Sequence, residues 1–258
     1  MFEHDNRIAI GVSGGKDSLS LLHILAKIEE DYPKSEIIAI SVDEGIMDYR
    51  DEALKLARKH TSELNVEHIV VSFKELFGIT IDDVIDNKLG ITPCSYCGVL
   101  RRRALDKTAK KIYADRLATG HTLDDMAQTA LINIFRGNLK GLTTFWPGGK
   151  KVEWFVQRVK PLCEVPEKES TLFAFLNSIE FQSLICPYAE DSMRTGIRLF
   201  LNEMEHKHPG TLHSILKTIL RILPNQITPE NANLCKNCGE PSTNKLCRVC
   251  ELIKNITN

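Results

Sequence analysis

No stretch of this chain approaches the roughly 18 uninterrupted apolar residues that a membrane span requires. The opening residues, Met1 to Asp5, lack the basic segment followed by an apolar one that marks a signal peptide. Together these absences lead to the expectation of a cytoplasmic protein with no membrane partner. Charge of one sign is missing too: 33 Lys and Arg stand against 34 Asp and Glu, a formal balance of −1. The bulk composition therefore announces no nucleic-acid binder. Internal repeats and low-complexity tracts are absent, which excludes solenoids and compositionally disordered chains. What remains is ordinary globular composition, 43% hydrophobic and 26% charged over 258 residues. That length suits one large domain, or a medium domain with small appendages.

Short apolar runs alternate with amphipathic stretches in the first half. The pattern predicts strands at Ile8–Val12, Ile37–Val42, Val66–Phe73 and Arg116–Thr119. Between them, helices are predicted from the glycine turn after Val12, at Arg50–Leu64, at Ser95–Tyr113 and at Thr122–Arg136. Leu21, Ile24, Leu25 and Ile28 fall at i, i+3, i+4 and i+7 on one helical face. Thr122 is a predicted N-cap. Such alternation implies an α/β fold, a doubly wound parallel sheet covered on both faces. Asn138 to Gly149 reads as a glycine-rich loop, and helices resume near Glu167–Asn177, Met193–His206 and Thr211–Leu223. Pro224 and Pro229 bracket a linker. The expected division is residues 1–150 as the nucleotide-binding domain, 151–228 as a helical extension and 229–258 as a small knuckle.

Cysteine carries more information than bulk composition. Six of the eight form three C-x2-C pairs, at 94/97, 235/238 and 247/250. In a cytosolic chain such pairs read as metal ligands rather than disulfides. Cys235, Cys238, Cys247 and Cys250 make a complete four-thiolate set for a structural Zn²⁺, in a segment too short to fold without metal. Cys163 and Cys186 stand alone. Cys163 has no motif around it and reads as structural. Cys186, on residue chemistry alone, is either a small buried apolar group or a ligand.

The strongest chemical signal is Ser13-Gly14-Gly15-Lys16-Asp17-Ser18, between the first strand and first helix. Two glycines let the backbone approach a phosphate, and a helix N-terminus offers unpaired N–H groups to an anion. The hydroxyls of Ser13 and Ser18 add donors, and Asp17 could hold a Mg²⁺ that bridges phosphate oxygens. The Walker A spacing, G-x4-G-K-[ST], is absent. Lys and Arg crowd between Arg101 and Arg116 and around Lys245 to Arg248. Such runs can hold RNA on a neutral protein but are usually solvated faces.

Ser13 to Ser18 resembles the PP-loop of the N-type ATP pyrophosphatase superfamily, whose members split ATP between its α and β phosphates. Asp43, in Ser41-Val42-Asp43-Glu44-Gly45, and Gly120-His121-Thr122-Leu123-Asp124-Asp125 match that family's further signatures. The resemblance implies nucleotide contacts from Gly11, Ser13, Gly14, Gly15, Lys16, Asp17, Ser18, Val42, Asp43, Gly120 and Asp125. Cys94-Ser95-Tyr96-Cys97-Gly98, followed by Arg101-Arg102, is similar to the tRNA 2-thiolation branch, the TtcA, TtuA and NcsA group. There a C-x2-C pair and a distant Cys hold a 4Fe-4S cluster. By that resemblance Cys94, Cys97 and Cys186 are the ligands here, and one iron stays open for sulfide. Arg101 stands where relatives that modify the T-loop carry Lys, and the run Gly98 to Leu105 looks more like the archaeal and eukaryotic cytosolic wobble-uridine thiolases.

The resemblance thus implies ATP-dependent adenylation of a tRNA uridine at its C2 oxygen, then replacement of that oxygen by sulfur. Asp17, Lys16 and Arg101 would be the catalytic residues. The implied cofactors are ATP, Mg²⁺, the 4Fe-4S cluster and Zn²⁺. The partners would be tRNA and a sulfur donor, either sulfide or a ubiquitin-like thiocarboxylate protein, with a homodimer left open. Arg194 and Arg198 fit surface ion pairs and RNA contact equally well. The family also leads one to expect an N-terminal zinc ribbon, for which the residues before Arg7 offer no cysteine. T-loop thiolation remains an alternative. So do another PP-loop ligase or amidotransferase with a structural metal at 94/97, and an RNA-binding protein with a vestigial ATP loop.

Overall fold

The computed structural model describes residues 1–86, 93–143, 146–148, 155–189, 193–222 and 233–257. Its centre is a sheet of five parallel strands: β1 (Arg7–Gly11), β2 (Glu36–Asp43), β3 (Glu67–Ser72), β4 (Arg116–Thr119) and β5 (Gln157–Val159), ordered β3-β2-β1-β4-β5. The central strands β1 and β2 are apolar because both faces are covered. Side chains alternate across the sheet. Ala9, Ile40, Val42 and Leu117 point into one buried cluster, and Ile8, Ile10, Val12, Ala39, Ala118 and Val159 into another.

The second cluster is closed by helices α1 (Lys16–Glu29), α2 (Arg50–Glu63) and α8 (Glu167–Leu176), through residues such as Leu22, Ala57 and Ala174. The first is closed by α3 (Phe73–Phe77), α4 (Ile81–Asp86) and α5 (Pro93–Lys111), through Phe73, Ile81 and Leu100. A third cluster joins α6 (Leu123–Phe135) and α7 (Leu139–Thr143) to α9 (Met193–Lys207) and α10 (Thr211–Ile222). The doubly wound α/β architecture expected from the sequence is therefore the observed one.

Several elements differ from expectation. The segment read as a glycine-rich loop contains helix α7 within its described part. Strand β5 was not expected: it has only three residues, Gln157, Arg158 and Val159, and is recruited by pairing with β4. The linker residues Pro224 and Pro229 lie outside the described residues.

After the third helical pair, β6 (Asn233–Leu234) and β7 (Pro241–Ser242) form a small antiparallel ribbon, followed by α11 (Arg248–Thr257). Val249, Leu252, Ile253 and Ile256 lie at i, i+3, i+4 and i+7 along α11 and pack into the cluster that holds α5. The C-terminal segment thus shares a core with the sheet's α5 side.

Candidate functional site

In an open parallel sheet, ligands bind beyond the carboxyl ends of strands at the point where the strand order reverses. Here β1 leads to β2 on one side and is flanked by β4 on the other, so the crevice opens between the ends of β1 and β4. Both ends carry a glycine turn into a helix. A cavity of about 280 Å³ lies there, lined among others by Gly11, Ser13, Gly15, Asp17, Ser18, Val42, Arg101, Gly120 and Asp125.

The first turn is built by steric necessity. Gly14 has φ +86°, and a Cβ there would lie 2.5 Å from the Ala53 carbonyl oxygen, so α2 packs directly on the loop. Ser18 Oγ accepts from the Ser13 N–H at 3.1 Å and donates to the Gly15 carbonyl at 2.9 Å, closing the turn onto the first turn of α1. Gly120 plays the matching part after β4. A Cβ at Gly120 would lie 2.8 Å from the Asp17 carbonyl oxygen, so the two turns touch. Thr122 caps α6 as expected, in a reciprocal capping box with Asp125.

The charged groups are arranged in two sets. Lys16 Nζ donates to Asp17 Oδ2 at 2.9 Å and to Glu167 Oε1 at 2.8 Å. Burial pulls the Lys16 ammonium down, but the bonds to Glu167 and Asp17 outweigh it and leave the pKa above the ordinary value. Glu167 is placed for this by Asp124, whose Oδ2 accepts the Glu167 N–H at 2.6 Å. The other carboxylate oxygen of Asp17, Oδ1, is buried without a hydrogen-bond partner. A buried orphan acceptor facing a phosphate-sized cavity suits a divalent cation.

On the opposite wall, Glu44 is 3% exposed and binds two arginines. Its Oε2 meets Arg50 Nε at 2.8 Å and its Oε1 meets Arg101 Nε at 2.7 Å. Arg50 also donates to the Val42 carbonyl at 2.8 Å and to the Ser13 carbonyl at 2.6 Å.

Arg101 reaches on to the cysteine pair, donating from Nη2 to Cys97 Sγ at 3.0 Å, one helical turn away on α5. Cys94 Sγ donates to the Tyr188 carbonyl at 3.4 Å, two residues beyond Cys186. Cys97 and Cys186 both pack at the margin of the α5 cluster, and Cys94 is exposed. Burial pushes the Cys97 thiol up to about 11, with Arg101 opposing. The three cysteines proposed as one ligand set are therefore neighbours, with Cys94 exposed. Their donor chemistry fits an iron–sulfur cluster, in which each thiolate takes a different iron and the sulfurs need not touch.

Cys235, Cys238, Cys247 and Cys250 differ: their Sγ atoms all lie within 4.8 Å of one another, the one such group among the described residues. The Cys238–Cys247 separation is 3.6 Å. A tetrahedral ion with bonds of about 2.3 Å places its sulfurs about 3.8 Å apart, so the set fits zinc. The Cys247 N–H bonds Cys235 Sγ at 3.2 Å and, with neighbouring amides, holds that thiol down to about 6. Gly239, at φ +70°, makes the turn after the first pair.

Not every anticipated residue faces the cavity. Lys16, Gly14 and Asp43 are not on its wall: Lys16 is turned to Glu167, Gly14 backs onto α2, and Asp43 Oδ1 accepts the Gly45 N–H at 2.9 Å. Cys163 is buried among α6, α9 and α10. Arg194 donates to Gln128 and Thr129 at 3.0 and 3.2 Å, and Arg198 lies 3.6 Å from Glu167, so both form ion pairs or hydrogen bonds beside the site. Glu44, Arg50 and Glu167 were missed by sequence reasoning. Only the position of Glu44 beside Asp43 offered a signal.

A parallel sheet whose two glycine turns meet over an anion-sized cavity, with Asp17 on its wall, defines a nucleotide-binding α/β domain. The chain belongs to the PP-loop domain family, whose model matches residues 2–204. It is 35% identical to the tRNA 2-thiolation protein NcsA of Haloferax volcanii, over 98% of this chain and 84% of that one. It is 34% identical to the cytoplasmic tRNA 2-thiolation protein 1 of Oryza sativa subsp. japonica, over 99% of this chain and 71% of that one. Among solved structures, the U34-tRNA thiolase NcsA of Methanococcus maripaludis, solved with its 4Fe-4S cluster, superposes with a TM-score of 0.87 at 35% identity. That match covers 98% of this chain and 82% of the other. No described helix is long and apolar enough to cross a membrane.

Proposed function

We propose that this chain is an ATP-dependent tRNA uridine 2-sulfurtransferase acting on the wobble uridine in the cytoplasm. The observation that carries the reading is the juxtaposition of the PP-loop cavity with the Cys94, Cys97 and Cys186 group through Arg101, which lines one and bonds the other. Fold and sequence similarity along nearly the whole chain to named thiolation proteins supports it.

ATP lies along the PP-loop, its phosphates on the N–H groups of the first turn of α1. Asp17 would hold Mg²⁺ through its unpartnered oxygen, Lys16 steadies the Asp17 carboxylate from behind, and Arg101, on the cavity wall, neutralises charge on the phosphates as the α–β bond breaks. The uridine C2 oxygen attacks the α phosphorus and pyrophosphate leaves. Sulfide then attacks C2 and AMP departs with the original oxygen; Cys94, Cys97 and Cys186 would hold a 4Fe-4S cluster, which would supply Lewis-acid binding of the incoming sulfide at the iron left without a protein thiolate. Free sulfide or a ubiquitin-like thiocarboxylate protein is the donor. Zn²⁺ at Cys235, Cys238, Cys247 and Cys250 is structural, in a knuckle proposed to begin near residue 229 after the helical extension.

The test is single-turnover reaction of anaerobically reconstituted protein with ATP, tRNA and sulfide. The expected products are AMP, pyrophosphate and 2-thiouridine at the wobble position. Asp17→Ala should abolish adenylation by at least about 100-fold, as loss of metal-assisted charge stabilisation does, with iron content unchanged. Thiolation at the T-loop uridine would overturn the wobble assignment, and pyrophosphate release independent of tRNA would overturn the reaction.

A further inference from the structure

The carboxylate of Glu44 sits between the two halves of the proposed chemistry. Toward the nucleotide, its Oε2 holds Arg50, which clamps the Ser13 carbonyl of the phosphate loop and the Val42 carbonyl at the end of β2. Toward the cysteines, its Oε1 holds Arg101, whose other arm donates to Cys97 Sγ at 3.0 Å. Each oxygen serves one arginine, so the unbroken path runs Ser13, Arg50, Glu44, Arg101, Cys97. Glu44 is itself fixed, because its backbone carbonyl accepts the Ile81 N–H at 2.9 Å at the start of α4.

Stability does not explain the arrangement. Glu44 and Arg50 are buried while Arg101 is half exposed, and apolar residues of similar volume commonly replace a buried ion pair without loss. A planar carboxylate between two guanidinium forks does something apolar packing cannot: it makes the orientation of one fork depend on the other. A chain of four such contacts can carry coupling between adjacent sites, provided both sites bias the same element.

We infer that Glu44 is a positioning residue that couples the nucleotide cavity to the cysteine site, by holding Arg50 on the phosphate loop and Arg101 on Cys97 at once. The inference rests on the reading of Cys94, Cys97 and Cys186 as cluster ligands. When Cys97 is a bound thiolate, Arg101 is held at it, Glu44 is held by Arg101, and Arg50 is drawn tight against Ser13. The phosphate loop is then ordered before ATP arrives. Linkage is reciprocal, so ATP also steadies the cysteine site.

The experiment measures affinity rather than turnover. Binding of a MgATP analogue that cannot be cleaved between its α and β phosphates is titrated calorimetrically, with cluster-free and with anaerobically reconstituted protein. In the natural chain the reconstituted form should bind about tenfold more tightly, within the usual range of site–site coupling. Glu44→Gln keeps the shape but offers one acceptor oxygen where two are needed, and its affinity should be the same with and without cluster. Should that variant fail to fold, Glu44→Leu combined with Arg50→Met removes both fully buried charges together and should show the same loss of dependence. A tenfold difference that persists in these variants overturns the coupling, as does a natural chain that holds its cluster and binds the analogue equally in both forms. A natural chain that takes up no iron overturns the cluster reading itself, and this inference with it.

Discussion

One cysteine group opens α5 and the other lies beside its second half, where Glu240 meets Arg103 and Lys110, and the two are built on opposite principles. In the C-terminal set the four sulfurs converge within 4.8 Å, three of the four residues are buried, and backbone amides already favour thiolate at Cys235. In the set near the nucleotide, one cysteine is exposed and two are half-buried, and their contacts are to an arginine and a carbonyl. A closed, coordinatively complete site spends its chemistry on the fold, whereas an open one leaves a position for a reactant. The difference predicts that losing a thiolate from the C-terminal set unfolds its segment, whereas losing one from the set near the nucleotide silences the protein.

The largest effect on the fold should come from Cys235→Ser. Structural zinc in small knuckles is linked to folding by on the order of 10 kcal/mol, so losing one thiolate should release the metal and unfold residues 233–257. Zinc content by mass spectrometry and hydrogen exchange along α11 read this directly. Because Val249 and Leu252 share the α5 cluster, the melting temperature of the whole chain should fall too. A variant that keeps its zinc and its protected α11 removes the contrast between the two sites.

Next comes the reverse case. Cys186→Ser should lose iron and 2-thiouridine formation while its melting temperature stays near that of the natural chain, since this residue only borders the core. Cys163→Ser is the control. It places a hydroxyl in an apolar cluster and should cost about 1–3 kcal/mol while keeping iron and thiolation. If Cys163→Ser loses the cluster and Cys186→Ser keeps it, the open site has been assigned the wrong third ligand.

The contrast was only half legible in the sequence. Spacing alone gave away the convergence of the four thiols, because two C-x2-C pairs eight residues apart are local. The sheet was legible for the same reason: the apolar runs of β1 to β4 and the Thr122 cap are local signals, and their observed bounds differ from the expected ones by at most two residues. Strand β5 was not legible, because Gln157 and Arg158 carry no strand pattern and only the exposed edge of β4 makes them one. Helix α11 could have been found from Val249, Leu252, Ile253 and Ile256, but the cysteines drew the reading toward a coreless knuckle. Of the cavity wall, Glu44 and Arg50 were hidden because their meaning lies in each other. No local pattern marks a carboxylate that will face two arginines from different helices.

The smallest effect concerns how the zinc segment is held to the rest of the chain, and it bears on whether the two cysteine groups are mechanically separate. Two kinds of contact join the segment to α5. One is ionic: Glu240 Oε2 lies 2.9 Å from Arg103 Nη1 and 3.5 Å from Lys110 Nζ. The other is apolar, through Leu252, which is 1% exposed in the α5 cluster. Partly exposed ion pairs contribute about 1 kcal/mol or less, whereas emptying a buried leucine site costs about 2–5 kcal/mol. Glu240→Gln should therefore lower stability by about 1 kcal/mol, an effect that shrinks in about 1 M salt as screening shortens to a few ångströms. Leu252→Ala should cost more, and salt should not change the cost. Chemical denaturation of both variants at low and high salt makes the comparison, with zinc and iron content measured alongside. Since Arg103 and Arg101 lie on the same helix two residues apart, freeing Arg103 from Glu240 could disturb the cluster site only by moving α5 as a body. Unchanged iron in Glu240→Gln is the expected result. A loss of iron there would mean that the zinc segment positions α5 for the open site, and that the two groups work as one.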